Sequence, residues 1–437
     1  MVGTLARYLH SFTGFSRDAR LFLLTTIVFG AALSLYWIDF NLYLESIGKG
    51  AAIGWMLSAS MLAGVLVALP ASALSDRFGR RTLMAAGMIL VAVALLAFLP
   101  GSLGLLFLGA ACLGAGSSVV SVVQIPYIAE HTLPDQRNAY FSVWSALGFI
   151  TSLLSAIVGA EVATALAAQL GLRAAEAPYQ ILLTGVAILG VISLGTVFLL
   201  TSDRPSADPD RQPAQARGRF GLVILDRRLF FRLLLPGFLT SLGAGQLIPF
   251  LNVFIQTKFG LDLPAVNAVF AVASLGTAIA ILAQPALARR FGRIGSIVLV
   301  QGASIPFLVV LGFSPVLWTV VVALTVRNSL MNAGSPIFDA FAMEHVSPAE
   351  RATLAAGMSM LWNLGWTVAP IYYSVLQATL GFTAGYAVDF VTIIVLYTIA
   401  TALLWTWFRG TDTALAPNVE AVVVPVPTEA PALVEHA

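Results

Sequence analysis

Twelve long apolar stretches run through this chain, and they leave a lipid bilayer as the solvent in which it can fold. They lie at 21–46, 52–75, 82–100, 103–129, 138–161, 179–201, 230–257, 263–287, 295–313, 316–343, 352–379 and 384–408. A hydrocarbon core ~30 Å thick takes about 20 apolar residues per helical span, and each stretch is close to that length or beyond it. Their apolar character is continuous rather than alternating, which argues against a β-barrel. Charged residues make up only 10% of the chain and mean hydropathy is +0.91. An ordinary soluble domain carries about 25% charged residues, so a water-soluble fold would lack the polar surface to cover its core. Arg7, Arg17 and Arg20 precede the first run, which is too long for the apolar region of a signal peptide and reads as the first span. Cys112 is the single cysteine, so no disulfide framework is available.

The placement of positive charge orients the spans. Of the 23 Lys and Arg residues, all but Lys49, Arg173, Lys258 and Arg327 fall at the N-terminus, after even-numbered spans or at the C-terminal end. The positive-inside rule then puts both termini in the cytoplasm of a multi-pass inner-membrane protein. The longest polar connection, 202–228, holds Asp203, Pro205, Asp208, Pro209, Asp210 and Pro213 among several arginines and reads as a flexible linker. It divides six spans in 1–201 from six in 229–410. The segment 411–437, rich in Pro, Val, Ala and Glu, is expected to be disordered.

The two halves repeat each other. Glu130-His131-Thr132-Leu133-Pro134-Asp135-Gln136-Arg137 agrees with Glu344-His345-Val346-Ser347-Pro348-Ala349-Glu350-Arg351 at Glu, His, Pro and Arg. Arg77-Phe78-Gly79-Arg80 recurs as Arg290-Phe291-Gly292-Arg293 at nearly the same displacement. Two motifs moved by almost one distance imply an internal duplication.

The stretch Leu74-Ser75-Asp76-Arg77-Phe78-Gly79-Arg80-Arg81, between spans two and three, resembles the signature loop of the major facilitator superfamily, and the second Arg-Phe-Gly-Arg stands where that family has its second copy. The resemblance covers the whole transmembrane region. It implies an all-α membrane fold, with twelve helices in two pseudo-symmetric six-helix bundles, alternating access around a central cavity, and a monomer. The departures are Ser72 at the glycine that usually opens the signature and Arg289 at the acidic position of the second copy. Ala110 precedes Gly114 and Gly116 where many members have a basic residue. The fifth span has Gly148 and Gly159 without the Gly-Pro pair common in drug antiporters.

The resemblance implies that Asp76, Gly79, Arg80 and Arg81 belong to a cytoplasmic gate. Gly79 permits a tight turn. Arg77, Arg80 or Arg81 could pair with Glu130, and Arg290 or Arg293 with Glu344; Arg137 and Arg351 of the repeated motif complete the set. Charges within the spans need a different reason, since each costs ~3 kcal/mol at the bilayer centre. Asp39 is the leading candidate for proton coupling or substrate contact, with Asp339 as a second. Asn328, Asn332, Ser335 and Asp339 recur on one face of the tenth span, and Arg327 near its midpoint must pair with an acid or bind an anionic group, Asp39 being one possible partner. Tyr36, Trp37, Gln124, Gln246, Asn252, Trp362, Asn363 and Trp366 complete a candidate cavity, though the polar side chains could merely bond across helices and any of the aromatics could equally be packing or lipid-facing. Asp389 reads as peripheral.

All four histidines lie at cytoplasmic ends and no phosphate-binding Gly-Lys-Ser/Thr loop occurs, so neither a metal site nor a nucleotide-driven pump is expected. No convergent nucleophile marks an enzyme, and no cofactor is expected. The expected partners are a small-molecule substrate, protons and the lipid bilayer, not nucleic acid. The favoured function is a secondary transporter exporting an amphipathic drug or metabolite by proton antiport. Uptake of a sugar, peptide or organic anion is the alternative within the class, and a non-transporting receptor or scaffold the alternative outside it.

Overall fold

A computed structural model describes residues 15–132, 137–201, 224–347 and 350–410; the segments 202–223 and 411–437, most of the expected linker and the C-terminal tail, lie outside the described residues. Helices occupy all twelve expected positions. The first half consists of α1 (Arg17–Ser46), α2 (Ile53–Phe78), α3 (Arg80–Phe98), α4 (Leu103–His131), α5 (Arg137–Gln169) and α6 (Ala177–Phe198). The second opens with α7 (Arg227–Phe259), interrupted by a 3-10 turn at Ile248–Phe250. It continues with α8 (Leu263–Phe291), α9 (Arg293–Phe313) and α10 (Leu317–Glu344). The last helical segment, Arg351–Phe408, breaks at Gly381 (φ 72°) into α11 (351–380) and α12 (382–408).

Local chemistry sets several of these ends. Ser16 caps α1 by accepting from the Ala19 amide at 3.1 Å. Asp226 caps α7 through Arg228 and Leu229, and Asp262 caps α8 through Ala265. These side-chain oxygens satisfy amides that have no partner within the helix.

The duplication read from sequence is a duplication in space. Gly79 (φ 87°) turns α2 into α3 with no residue to spare, and Gly292 (φ 72°) does the same between α8 and α9. Residues other than glycine avoid that region of backbone space. His131 donates through Nδ1 to the Tyr127 carbonyl at 2.9 Å and stacks on the Tyr127 ring at 4.1 Å. His345 repeats this with Phe341, at 2.8 and 3.9 Å. The two lysines that broke the positive-charge pattern are also a matched pair. Lys49 donates to the carbonyl of Gly101 just past the end of α3, and Lys258 to that of Gly312 in the last turn of α9, at 2.8 Å. Both cations sit at helix C-terminal ends, where exposed carbonyls favour positive charge.

The cores show how the halves meet. On the side where α1 begins and α12 ends (the near side), each half has its own core. One is built on Phe22, Met88, Tyr127 and Tyr140, the other on Phe230, Ile297, Phe341 and Phe408. On the far side a single core runs through both halves, from Tyr36, Phe40 and Phe98 to Phe250, Phe254, Tyr373 and Phe390. Contacts between halves run mainly through α2 with α11, α5 with α8, and α1 with α7. The outer surface presents Leu66, Val162, Phe198, Trp318 and Met360, each more than half exposed, a girdle that only hydrocarbon can cover.

Candidate functional site

The far-side closure is made of polar contacts as well as packing. Asn41 donates to the Pro249 carbonyl at 2.6 Å, Gln256 to the Tyr179 hydroxyl at 2.6 Å, and Asn252 to the Ile38 carbonyl. Asp39 is buried at 1% exposure, and its Oδ1 accepts from Asn267 of α8 at 2.7 Å. Asp39 Oδ2 and Asn267 Oδ1 have no hydrogen-bond partner. The Gly54 amide, in the first turn of α2, donates to Ser374 Oγ of α11 at 3.1 Å. A Cβ on Gly54 would lie 1.9 Å from the Pro370 carbonyl oxygen, so the two helices meet backbone to backbone.

A cavity of about 560 Å³ is cut into the second half, lined by α7, α9, α10, α11 and α12. Its volume is in the range typical of small-molecule sites. Arg327, Asn328, Asn332, Asp339, Trp362, Asn363 and Trp366 all line it. Gln301, Met331, Phe238, Phe338 and Tyr397 line it too; apolar or isolated in sequence, they carried no signal. Arg327 is 3% exposed. Its Nη2 donates to the Tyr397 hydroxyl at 2.8 Å and its Nη1 to Asn328 Oδ1 at 3.0 Å.

Other expected cavity residues have structural positions. Tyr36 stacks against Phe40 and Phe98, which also touch each other, in the far-side core. Trp37 lines a narrow crevice beside Pro249. Gln124 is half-buried in α4 and is not among the residues lining the cavity. Gln246 donates to the backbone carbonyl of Asp389 at 3.2 Å, and Asn252 closes the far side. The pairing considered for Arg327 with Asp39 does not form: Asp39 accepts from Asn267, and Arg327 donates to Tyr397 and Asn328. Asp389 is not peripheral: it is wholly buried where α12 packs on α7.

Of the gate residues, Arg293 and Glu344 form an ion pair. Arg81 donates to the last carbonyls of α6, Val197 at 3.3 Å and Phe198 at 2.5 Å. Arg80 reaches Ser75 Oγ at 3.4 Å, Arg77 lies over the Phe78 ring, and Arg351 donates to the Met343 carbonyl at 3.0 Å. The side chains of Asp76, Glu130, Arg137, Arg290 and Ser335 lie outside the described residues.

Glu350 was missed, although Ser347-x-x-Glu350 carries the spacing of a capping box. Its Oε1 accepts from the Leu225 amide at 2.7 Å and its Oε2 from the Ser347 hydroxyl at 2.8 Å. It thereby ties the approach to α7 onto the turn before α11. The Leu225 amide first, and then the Ser347 hydroxyl, hold this carboxyl below the usual glutamate range. A depressed folded pKa contributes stability above the unfolded value of about 4.3, lost as pH falls through the lower folded value. Glu350→Gln is therefore expected to melt earlier than the parent at neutral pH. The gap should close as the pH drops below that range, in thermal melts recorded across an acid series.

A sequence profile of the Major Facilitator Superfamily matches residues 22–370 and 233–429. With the duplicated six-helix halves, this shows that the chain belongs to that superfamily of membrane transporters. No curated protein sequence matches it significantly. Similar solved structures include the nucleoside transporter NupG, at TM-score 0.73 and 14% identity over 89% of this chain and 99% of that one. A bacterial homolog of the human lysosomal transporter Spinster, in an inward-facing and occupied conformation, superposes at TM-score 0.68 and 15% identity, over 90% and 96% of the two chains. An auto-inhibited POT-family peptide transporter gives TM-score 0.71 at 11% identity, over 90% and 97%. At such identities the likeness concerns the fold.

Proposed function

We propose that this chain is a proton-coupled secondary transporter that exports an amphipathic small molecule by alternating access. The observation that carries the reading is the asymmetry of the cores: one fused core on the far side, two separate cores on the near side, and a cavity within the near-side half of the second bundle. In such an arrangement 1–201 and 229–410 rock about the bound substrate, with 202–228 joining them. The positive-inside pattern makes the near side cytoplasmic, so this state faces inward in the cell inner membrane. Trp362, Trp366, Met331, Met358 and Phe338 give the cavity an apolar wall, suited to a partly hydrophobic cargo taken from inside.

Asp39 fits the coupling role by position. It is sealed within the far-side closure here and meets the outer solution only when that closure opens. Exchange of its proton would then change the relative stability of the two facing states. The neutral contacts of Arg327 favour a second reading, in which the cargo is an organic anion. The test is proton release from purified protein in weakly buffered solution, challenged with amphipathic cations, sugars and organic anions. A signal confined to one compound class supports proton coupling. Silence across the panel from folded protein would point to uniport or another coupling ion.

A further inference from the structure

We propose that the cavity holds an anion-selective subsite, in which the guanidinium of Arg327 and the indole N–H of Trp366 bind a carboxylate or similar acidic group of the cargo. The inference rests on the transporter reading and specifies its substrate class.

Arg327 is a charge within a membrane span, 3% exposed, on the wall of a cavity. Among the described residues no carboxylate lies within ion-pair distance of it. Its partners are neutral, the Tyr397 hydroxyl and the Asn328 amide oxygen. A guanidinium has five N–H donors, and Nε is buried without a partner. Among the described residues, the other buried cavity-lining atom without a partner is Trp366 Nε1, again a donor. A buried cation without a counter-charge is costly, and the cost is relieved by an anion that also accepts its hydrogen bonds.

Both buried unpartnered atoms of the wall are donors, which suit an acceptor rather than a cation. The Tyr397 hydroxyl and the Asn328 side chain each take one of the five guanidinium N–H groups, which leaves Nε–H and one N–H on each terminal nitrogen for an acceptor such as a carboxylate. Asp339, the acid that shares the cavity, is twelve residues further along α10, about 18 Å at 1.5 Å per residue. That is too far to neutralise Arg327, and it puts the acid toward the near-side mouth. The aromatic and methionine wall would take the apolar part of the same molecule.

The experiment is a binding titration of the purified full chain with three compounds of one skeleton: phenylbutyrate, phenylbutyramide and phenylbutylamine. Tryptophan fluorescence and thermal shift are the readouts. Phenylbutyrate is expected to bind about tenfold or more tightly than the amide, as charge-assisted bidentate bonding implies. In Arg327→Gln the preference should fall to about parity while the amide's affinity holds. If that variant does not fold, Arg327→Lys carries the test: it keeps the charge, loses the fork, and should weaken the carboxylate alone. Equal affinities, a preference for the amine, no carboxylate binding at the solubility limit, or a preference that survives in the variants would each overturn the subsite. Proton release driven by the amine or amide would leave the transporter standing without the subsite. Tight carboxylate binding with no proton release would leave the subsite and overturn proton coupling.

Discussion

Gly54→Leu is expected to open the far side of the molecule and to abolish most transport. Even the Cβ of such a side chain would sit 1.9 Å from the Pro370 carbonyl oxygen and 2.4 Å from Ser374 Oγ. The first of these belongs to helix backbone and cannot turn away. Overpacking of this kind costs about 3 kcal/mol, which moves a two-state equilibrium by roughly 100-fold. Folding of each half should survive, since leucine favours helix over glycine and the clash lies between halves. Spin labels on cysteines introduced at Ser102 and Val316, two far-side positions in opposite halves, would report the change. Cys112 is the single native thiol, so Cys112→Ala supplies a clean background. The distance distribution should lengthen in Gly54→Leu and less in Gly54→Ala. Gly104→Ala, where nothing lies within 4 Å of the added carbon, should match the parent. An unchanged distribution in Gly54→Leu would mean that α2 and α11 do not form the seal.

Asp39→Asn is expected to eliminate substrate-induced proton release while substrate exchange across the membrane persists. Asparagine keeps the oxygen that accepts from Asn267 at 2.7 Å. Its amide nitrogen takes the place of Oδ2 and brings an N–H toward Asn267 Oδ1, an acceptor with no partner among the described residues of the parent. The variant is thus a permanent copy of the protonated acid, with the far-side contact intact and no proton to give. Uncoupled counterflow needs the halves to move but no net proton transfer, so it should continue in proteoliposomes. Proton release that persists at the parent level would remove Asp39 from the coupling role and turn attention to Asp339 or the buried Asp389.

Much of this architecture is legible in the sequence, for reasons that differ by residue. The spans were legible because the bilayer imposes one length and one polarity on every helix. The duplication was legible because Gly79 and Gly292 each occupy a turn that demands positive φ, and because His131 and His345 each bond back four residues; both are local constraints. One face of α10 was legible because helical periodicity puts Asn328, Asn332 and Asp339 on one line. Periodicity does not say what that line faces. Gln246 and Asn252 look like cavity residues by composition, yet one bonds the Asp389 backbone and the other seals the far side. Asp389 looked peripheral because its place in the chain is near a helix end, whereas α12 turns that face onto α7.

The sequence alone determined the solvent, the twelve helices and their duplication. These depend on residues close together in the chain, or on totals such as charge and hydropathy. Tertiary structure alone decided that Asp39 meets Asn267 rather than Arg327, that Arg327 is held by Tyr397, and that the far side is closed in this state. Those facts depend on the rotation of each helix about its axis and on the packing of one half against the other. Contacts between residues up to some 320 positions apart, such as Gly54 with Ser374, settle that packing, and no periodicity within either segment encodes it.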